Sequence, residues 1–152
     1  MKSEIVQLVL SLMAIVIGGA VEEILPKVAG VGFPLLMASS VFMAVRLGVP
    51  ATVMFAVAAG AVEDSLSGLP AATSSSFFLA VAALARWSDF PRGALVMAYP
   101  LYQWWLWVWT GGAYGVLFNR MLLALPLGLA SAVVSWIVLD WAERRAALDG
   151  SR

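Results

Sequence analysis

An acidic pair interrupts an apolar sequence in GAVEDSLSGLP, residues 60–70. Glu63 and Asp64 follow a run of apolar and small residues over positions 51–62, and they precede two serines and a Gly-x-Pro turn. This pattern is typical of a membrane helix that ends where water reaches its charged groups. We expect the Asp64 side chain to accept hydrogen bonds from backbone N–H groups of the turn at residues 65–68.

The composition around this turn is that of a membrane protein. The chain has 152 residues, of which 62% are hydrophobic and 12% charged, whereas a soluble domain carries roughly a quarter charged residues. Such a chain has too few polar groups to cover a globular surface, so we expect it to fold in lipid. The net charge of zero argues against nucleic acid as a partner, because nucleic-acid-binding proteins present a basic face.

Two residue types that carry much catalytic and metal chemistry are missing. The sequence has no cysteine and no histidine, which excludes disulfides, thiolate and imidazole metal ligands, and the usual general base near neutral pH. Glu22 and Glu23 resemble the Glu-Glu start of one family of intramembrane proteases, but that chemistry also needs metal-binding or water-activating partners, commonly histidines. The sequence therefore predicts no enzyme, no catalytic residue, no metal and no cofactor.

Apolar segments separated by turns rich in Gly, Pro and Ser predict an all-α polytopic membrane protein. We expect one domain over residues 1–152, a compact bundle of six transmembrane helices. A spanning helix needs about 20 apolar residues, and the second and third segments are short enough to form a re-entrant hairpin instead. The predicted spans are 5–25, 33–45, 49–62, 73–87, 94–110 and 121–141, followed by a charged tail at 142–152.

The basic residues predict the orientation, because Lys and Arg are enriched in cytoplasmic loops. With six spans, Lys27 and Arg120 lie on one side of the membrane and the other seven basic residues lie on the opposite side. This distribution predicts that both termini are cytoplasmic and that both acidic pairs face outward.

The most aromatic stretch is LYQWWLWVWTGG, residues 101–112, near the outer end of the fifth span. On a helix, Tyr102, Trp105 and Trp109 share one face. We expect this face either to belong to the interfacial aromatic belt and pack against neighbours, or to form a stacking wall for a flat ligand.

Small residues recur at helical spacing in two pairs, Ala14 with Gly18 and Ala56 with Gly60. Such pairs let two helix backbones approach closely. The sequence leaves two uses for them, packing inside the bundle or docking of a partner's helix.

The stretch GAVEDSLSGLP resembles the pattern G-x-x-x-D-x-x-x-G-x-x-x-G of the MreD family, the small rod shape-determining membrane proteins. Gly60, Asp64 and Gly68 match the pattern in register, whereas its last glycine falls on Ala72, which is a departure. Pro34, in VGFPLLM, matches the proline that begins the second span in this family. The length, the six expected spans, the cytoplasmic termini and the lack of catalytic residues agree along the whole chain.

This resemblance implies a fold similar to the six-helix, substrate-binding S components of energy-coupling-factor vitamin transporters. It implies a non-enzymatic scaffold of the cell-wall elongation machinery in the bacterial inner membrane, which holds partner transmembrane helices together. The implied partners are an MreC-like protein, a RodA-type glycan polymerase with its transpeptidase, the actin-like MreB, and membrane lipid. In such a protein Asp64 would fix the turn at an outward corner of the bundle.

Two other function classes stay open. A vitamin-binding S component needs a closed outward pocket with convergent polar groups, for which Tyr99, Tyr102, Gln103 and Asn119 are candidates together with the tryptophans. A channel or ion carrier needs polar groups within the spans. The candidates for that role are few: Ser39, Ser40, Gln103, Ser131 and Ser135.

Overall fold

The computed structural model describes residues 2–27, 31–112 and 116–149, and these parts form six α-helices joined by short turns. The predicted all-α fold with six helical segments is therefore confirmed. The helices are α1 (Lys2–Ile24), α2 (Leu35–Arg46), α3 (Val49–Ser67), α4 (Thr73–Trp87), α5 (Pro91–Trp109) and α6 (Leu117–Asp149).

Three of the helices have the length and apolar composition needed to cross a membrane. The qualifying segments are Gln7–Ile24 in α1, Val49–Ser67 in α3 and Leu117–Arg145 in α6. The chain thus carries the helices of a membrane protein. Helix α2 is also apolar, but its 12 residues rise only about 18 Å, which is less than the roughly 30 Å hydrocarbon core of a bilayer.

Helix α2 lies at the centre of the bundle and contacts each of the other five helices. Its residues 36–44 are all buried, which accounts for their nearly continuous apolar character. A short helix at membrane depth is tolerated where protein surrounds it rather than lipid. Of the second and third segments, which the sequence predicts to be short, only the second forms a short helix, since α3 is long enough to cross.

Charged side chains from neighbouring helices close both ends of α2. At its N-terminus, the Leu36 N–H donates to Oε1 of Glu22 on α1 at 2.7 Å. At its C-terminus, Nη1 of Arg86 on α4 donates to the carbonyl oxygens of Ala44 (2.9 Å) and Leu47 (2.7 Å). Helix ends leave backbone groups unpaired, and the helix dipole favours negative charge at the N-terminus and positive charge at the C-terminus. The contacts with Glu22 and Arg86 pair these backbone groups, and they place an acidic side chain at the N-terminus and a basic side chain at the C-terminus.

The bundle has two chemically different ends. At the acidic end, where α1 and α3 finish and α2 and α4 begin, lie the two acidic pairs. At the arginine end, where α2 and α4 finish, Arg46 pairs with Asp140 (3.0 Å) and Glu143 (3.4 Å) of α6. Arg92 lies over the ring of Trp136 there, 5.0 Å from its centroid.

Helix boundaries match the predicted span at α4 and differ elsewhere. Helix α3 continues to Ser67 instead of ending at residue 62, because the chain stays helical until Gly68 takes a left-handed conformation. The acidic pair of residues 63 and 64 therefore lies on the helix, one turn before its end. Proline fits the first turn of a helix, and α5 accordingly begins at Pro91.

The charged segment that the sequence predicts as a tail after residue 141 is helical up to Asp149, as a continuation of α6. Its residues are mostly good helix formers such as Ala, Glu and Arg. An ion pair between Arg144 and Asp140 at 2.6 Å also joins successive turns of the helix, an arrangement that supports helical structure.

We predict that Arg86→Met lowers the free energy of unfolding by about 1–2 kcal/mol, because two carbonyl oxygens at the end of the central helix lose a charged donor. Arg145→Met is the control, since Arg145 is exposed and lies over the ring of Trp141 instead. Denaturant unfolding of the purified protein in mild detergent measures both. Equal stability of the two variants would contradict the capping role of Arg86.

Candidate functional site

The acidic end is built on a direct contact between the backbones of α3 and α4 at Gly60. A Cβ atom on Gly60 would lie 2.8 Å from the carbonyl carbon of Ser74 and closer still to the Cα and N atoms of Ser75. The Ser75 hydroxyl donates to the carbonyl oxygen of Val57 across the same contact, at 3.1 Å. Only glycine leaves room for the first turn of α4 at this position.

Asp64 closes the N-terminus of α4. Its Oδ1 accepts a hydrogen bond from the Ser74 N–H at 2.7 Å, and the residue is only 5% exposed. This differs from the expected bonds between the carboxylate and the turn, because the N–H groups of Gly68 and Leu69 bond to the backbone carbonyl of Asp64. The side chain therefore reaches across to α4, as Glu22 reaches from α1 to α2.

The connection between α3 and α4 passes twice through the left-handed region. Gly68 ends α3 with a φ of +63°, and Ala72 precedes α4 with a φ of +68°. Glycine adopts this conformation readily, whereas an L-residue is destabilised by about 1–2 kcal/mol. The departure from the resemblance pattern thus falls on a position whose backbone favours glycine.

Two aromatic side chains join α5 to the first turn of α4. The hydroxyl oxygens of Tyr102 and Ser74 are 2.6 Å apart, and Nε1 of Trp105 donates to the carbonyl oxygen of Thr73 at 2.9 Å. Trp109 contacts the Trp105 ring but is 51% exposed. Of the three residues expected on one face, Trp109 has the exposure of a belt residue, while Tyr102 and Trp105 bond within the bundle.

A cavity of about 300 Å³ opens at the acidic end beside this corner. Its lining combines carboxylates from α1 and α3, a guanidinium from α6, and aromatic and amide side chains from α5. Among the lining residues are Glu22, Glu63, Tyr99, Tyr102, Gln103 and Arg120. The structure thus brings together the three α5 residues that the sequence suggests for an outward pocket. Asn119 and the tryptophans are not among the described lining residues.

The polar groups of the cavity are held in place by neighbours. Nε and Nη2 of Arg120 donate to Oε1 of Gln103 at 3.3 and 2.9 Å, and both residues are buried. The Tyr99 hydroxyl donates to the carbonyl oxygen of Gly32 at 2.6 Å. Oε1 of Glu63 accepts a hydrogen bond from the Ser67 hydroxyl at 3.1 Å. A site fixed in this way is preorganised for a polar ligand.

The two small-residue pairs are used inside the bundle. Ala14 and Ala56 are buried in the core. Gly18 faces α2, because a Cβ atom on it would lie 3.3 Å from Cδ2 of Leu36. Both pairs thus contribute to packing inside the bundle.

Pro34 directly precedes α2, and its carbonyl oxygen accepts the Ala38 N–H at 2.9 Å. This is the position at which the resemblance expects a proline to begin the second helix.

Most of the candidates for an ion path lie outside the cavity. Ser39, Ser40, Ser131 and Ser135 are all buried, and none of them is among the lining residues of the cavity. Gln103 does line the cavity. The Ser40 hydroxyl donates to the carbonyl oxygen of Leu36 at 2.9 Å within its own helix.

The sequence interpretation does not predict that Glu22 and Arg86 close the two ends of α2. Glu22 precedes its partner Leu36 by 14 residues, and Arg86 follows Ala44 by 42. No local spacing connects residues so far apart. The available signal is the shortness of the second apolar segment, which implies that its ends need partners at membrane depth.

No family model, curated protein or solved structure matches the chain. The likeness to MreD proteins therefore rests on the corner between α3 and α4, on Pro34, and on the length and composition of the chain.

We predict that Gly60→Ala lowers the free energy of unfolding by about 3 kcal/mol, because the added methyl group collides with the backbone of α4 and the two helices must separate. Gly48→Ala is the matched control, since a Cβ atom on Gly48 meets nothing within 4 Å. Unfolding in detergent, followed by tryptophan fluorescence, distinguishes the two. A Gly60→Ala variant as stable as the control would refute the close contact.

At Ala72 we predict a substitution that raises the free energy of unfolding instead of lowering it. Ala72→Gly should raise the free energy of unfolding by up to about 1 kcal/mol, because glycine relieves the left-handed strain and part of this gain is offset by its greater freedom in the unfolded chain. Ala71→Gly, at the neighbouring position, should have no such benefit, because positive φ among the described non-glycine residues is confined to Ala72. The same unfolding measurement applies, and a loss of stability in Ala72→Gly would contradict this geometry.

Proposed function

We propose that the protein is a non-enzymatic scaffold of the bacterial cell-wall elongation machinery, of the MreD type. One observation carries the proposal. Each position of the resemblance pattern has a structural role in the same corner. Gly60 leaves room for the backbone of α4, and the Asp64 side chain closes the N-terminus of α4. Gly68 and Ala72 both have positive φ in the connection between the two helices. A chance match between apolar sequences would not be expected to combine these roles.

In the proposed arrangement, all six helices form a bundle in the inner membrane with both termini cytoplasmic. The acidic end then faces outward, and the arginine end lies at the cytoplasmic headgroups, in agreement with the distribution of basic residues. The side-chain contacts support alternating helix directions. Glu22 and Asp64 each join the end of one helix to the start of the next, while Arg46 joins α2 to α6 at the opposite end.

The proposed scaffold binds partner helices through apolar faces that the bundle does not cover. Helix α1 exposes Leu8, Leu12 and Val16, which follow one another at intervals of four residues. Helix α6 exposes a similar stripe that includes Val133 and Ile137. Residues at this spacing share a helix face, and such faces pack against lipid or against another transmembrane helix. The proposed occupants are helices of an MreC-like protein and of a RodA-type polymerase with its transpeptidase, with MreB on the cytoplasmic side.

The cavity at the acidic end favours a second candidate function, a vitamin-binding S component. Its volume of about 300 Å³ lies at the lower limit of small-molecule pockets. This candidate predicts different partners, an ATPase pair and a coupling protein, in place of elongation proteins.

We predict that Asp64→Ala and Gly68→Val each cause rounded cells when the variant replaces the protein in a rod-shaped bacterial host. Asp64→Ala leaves the buried Ser74 N–H without its acceptor, which costs about 1–3 kcal/mol. Gly68→Val places a β-branched residue at positive φ, a conformation it adopts very rarely. Microscopy, membrane levels of the protein and affinity purification in mild detergent measure the outcome.

Glu63→Gln is the matched control, because it changes the neighbouring carboxylate and leaves the contact with α4 intact. We expect this variant to keep rod shape and the elongation partners. Normal shape and normal membrane levels in both Asp64→Ala and Gly68→Val would overturn the scaffold proposal, and purification of an ATPase pair would favour the S component.

A further inference from the structure

The polar cavity at the acidic end continues into an apolar groove between α1 and α3. Glu23 and Leu66 line both spaces, so the two meet at these residues. Beyond them the groove is lined by small and branched apolar side chains. These include Val16, Gly19 and Ala20 of α1 and Val62 of α3.

The junction of cavity and groove lies at the level where an apolar helix ends. The apolar segment of α1 that is long enough to span a membrane is Gln7–Ile24, and Glu23 stands at its end. In a bilayer this is the depth at which lipid headgroups meet their acyl chains. The polar cavity lies on one side of this level and the apolar groove on the other. This arrangement matches a lipid, whose headgroup is polar and whose acyl chains are apolar.

The cavity presents both signs of charge. Glu22 of α1 and Glu63 of α3 both line the cavity, and a positive charge beside carboxyl groups favours their ionised form. Arg120 of α6 and Lys27, after α1, also line the cavity. A ligand with one positive and one negative group matches this lining better than a simple cation or anion.

We propose that the cavity and groove bind one phospholipid whose headgroup carries a primary ammonium and a phosphate, as phosphoethanolamine does. The ammonium lies against Glu22 and Glu63, the phosphate lies beside Lys27 and Arg120, and one acyl chain fills the groove. A primary ammonium has three N–H donors for the carboxylates, and such charge-assisted bonds are the strong ones. A trimethylammonium headgroup has none. This lipid site does not rest on the proposed scaffold role.

The test is native mass spectrometry of the full chain in mild detergent, titrated with lipids that share the same short acyl chains. The headgroups are phosphoethanolamine, phosphocholine and phosphoglycerol, and soluble O-phosphoethanolamine is the chain-free probe. We expect the phosphoethanolamine lipid to bind at least about tenfold more tightly than the other three compounds, a difference that corresponds to about 1.4 kcal/mol.

Two variants separate the headgroup from the acyl chain. Glu63→Gln keeps an acceptor for the Ser67 hydroxyl and removes one negative charge, so it should weaken binding of the phosphoethanolamine lipid about tenfold. Ala20→Leu fills the groove at an exposed position and should weaken the lipid while leaving O-phosphoethanolamine unchanged. The controls are Glu143→Gln at the arginine end and Ala130→Leu at an exposed position of α6, and both should bind as the wild type does.

Equal binding of the three lipids, or wild-type affinity in Glu63→Gln, would overturn the headgroup assignment. Equal affinity for the lipid and for O-phosphoethanolamine, with no effect of Ala20→Leu, would show a site for a soluble zwitterion and overturn the lipid assignment.

Discussion

The architecture depends on how the backbone N–H and C=O groups at the two ends of a short buried helix find hydrogen-bond partners. Helix α2 contacts all five other helices, and its terminal N–H and C=O groups need hydrogen-bond partners. A carboxyl oxygen of Glu22 on α1 and the guanidinium of Arg86 on α4 bond to these groups. The guanidinium has the charge that the helix dipole favours at a C-terminus. Because these groups come from different helices, closing α2 also fixes the positions of α1 and α4 around it.

The N-terminus of α4 is closed in the same way as that of α2, by one member of an acidic pair. In each pair one carboxylate closes the helix that follows: Glu22 for α2 and Asp64 for α4. The other members, Glu23 and Glu63, line the cavity together with Glu22. Neither short helix has a side-chain cap from the residue that directly precedes it, since those residues are Pro34 and Ala72. The caps therefore come from the preceding long helix, and they join four helices at one end of the bundle.

The sequence was sufficient for features that depend on local pattern. Apolar segments and turn residues predicted six helices, and the close approach at Gly60 follows from small residues at helical spacing. Features that depend on distant residues were not accessible. The partner of Asp64 was expected in the adjacent turn, but α3 continues past that point, and the carboxylate finds Ser74 on the next helix. The cavity likewise combines residues from several helices, such as Glu63 and Arg120, whose proximity no spacing reveals.

The order in which the helices are synthesised determines when each end of α2 can be closed. Translation delivers Glu22 before α2 itself, so an acceptor for the helix N-terminus is present when the helix emerges. Arg86 follows Ala44 by 42 residues, and α3 and most of α4 must be made before it arrives. Until then the carbonyl groups of Ala44 and Leu47 lack their guanidinium donor. Both ends of the central helix can thus be closed only after α4 has been made, and nascent chains that stop before residue 86 lack the group that closes its C-terminus.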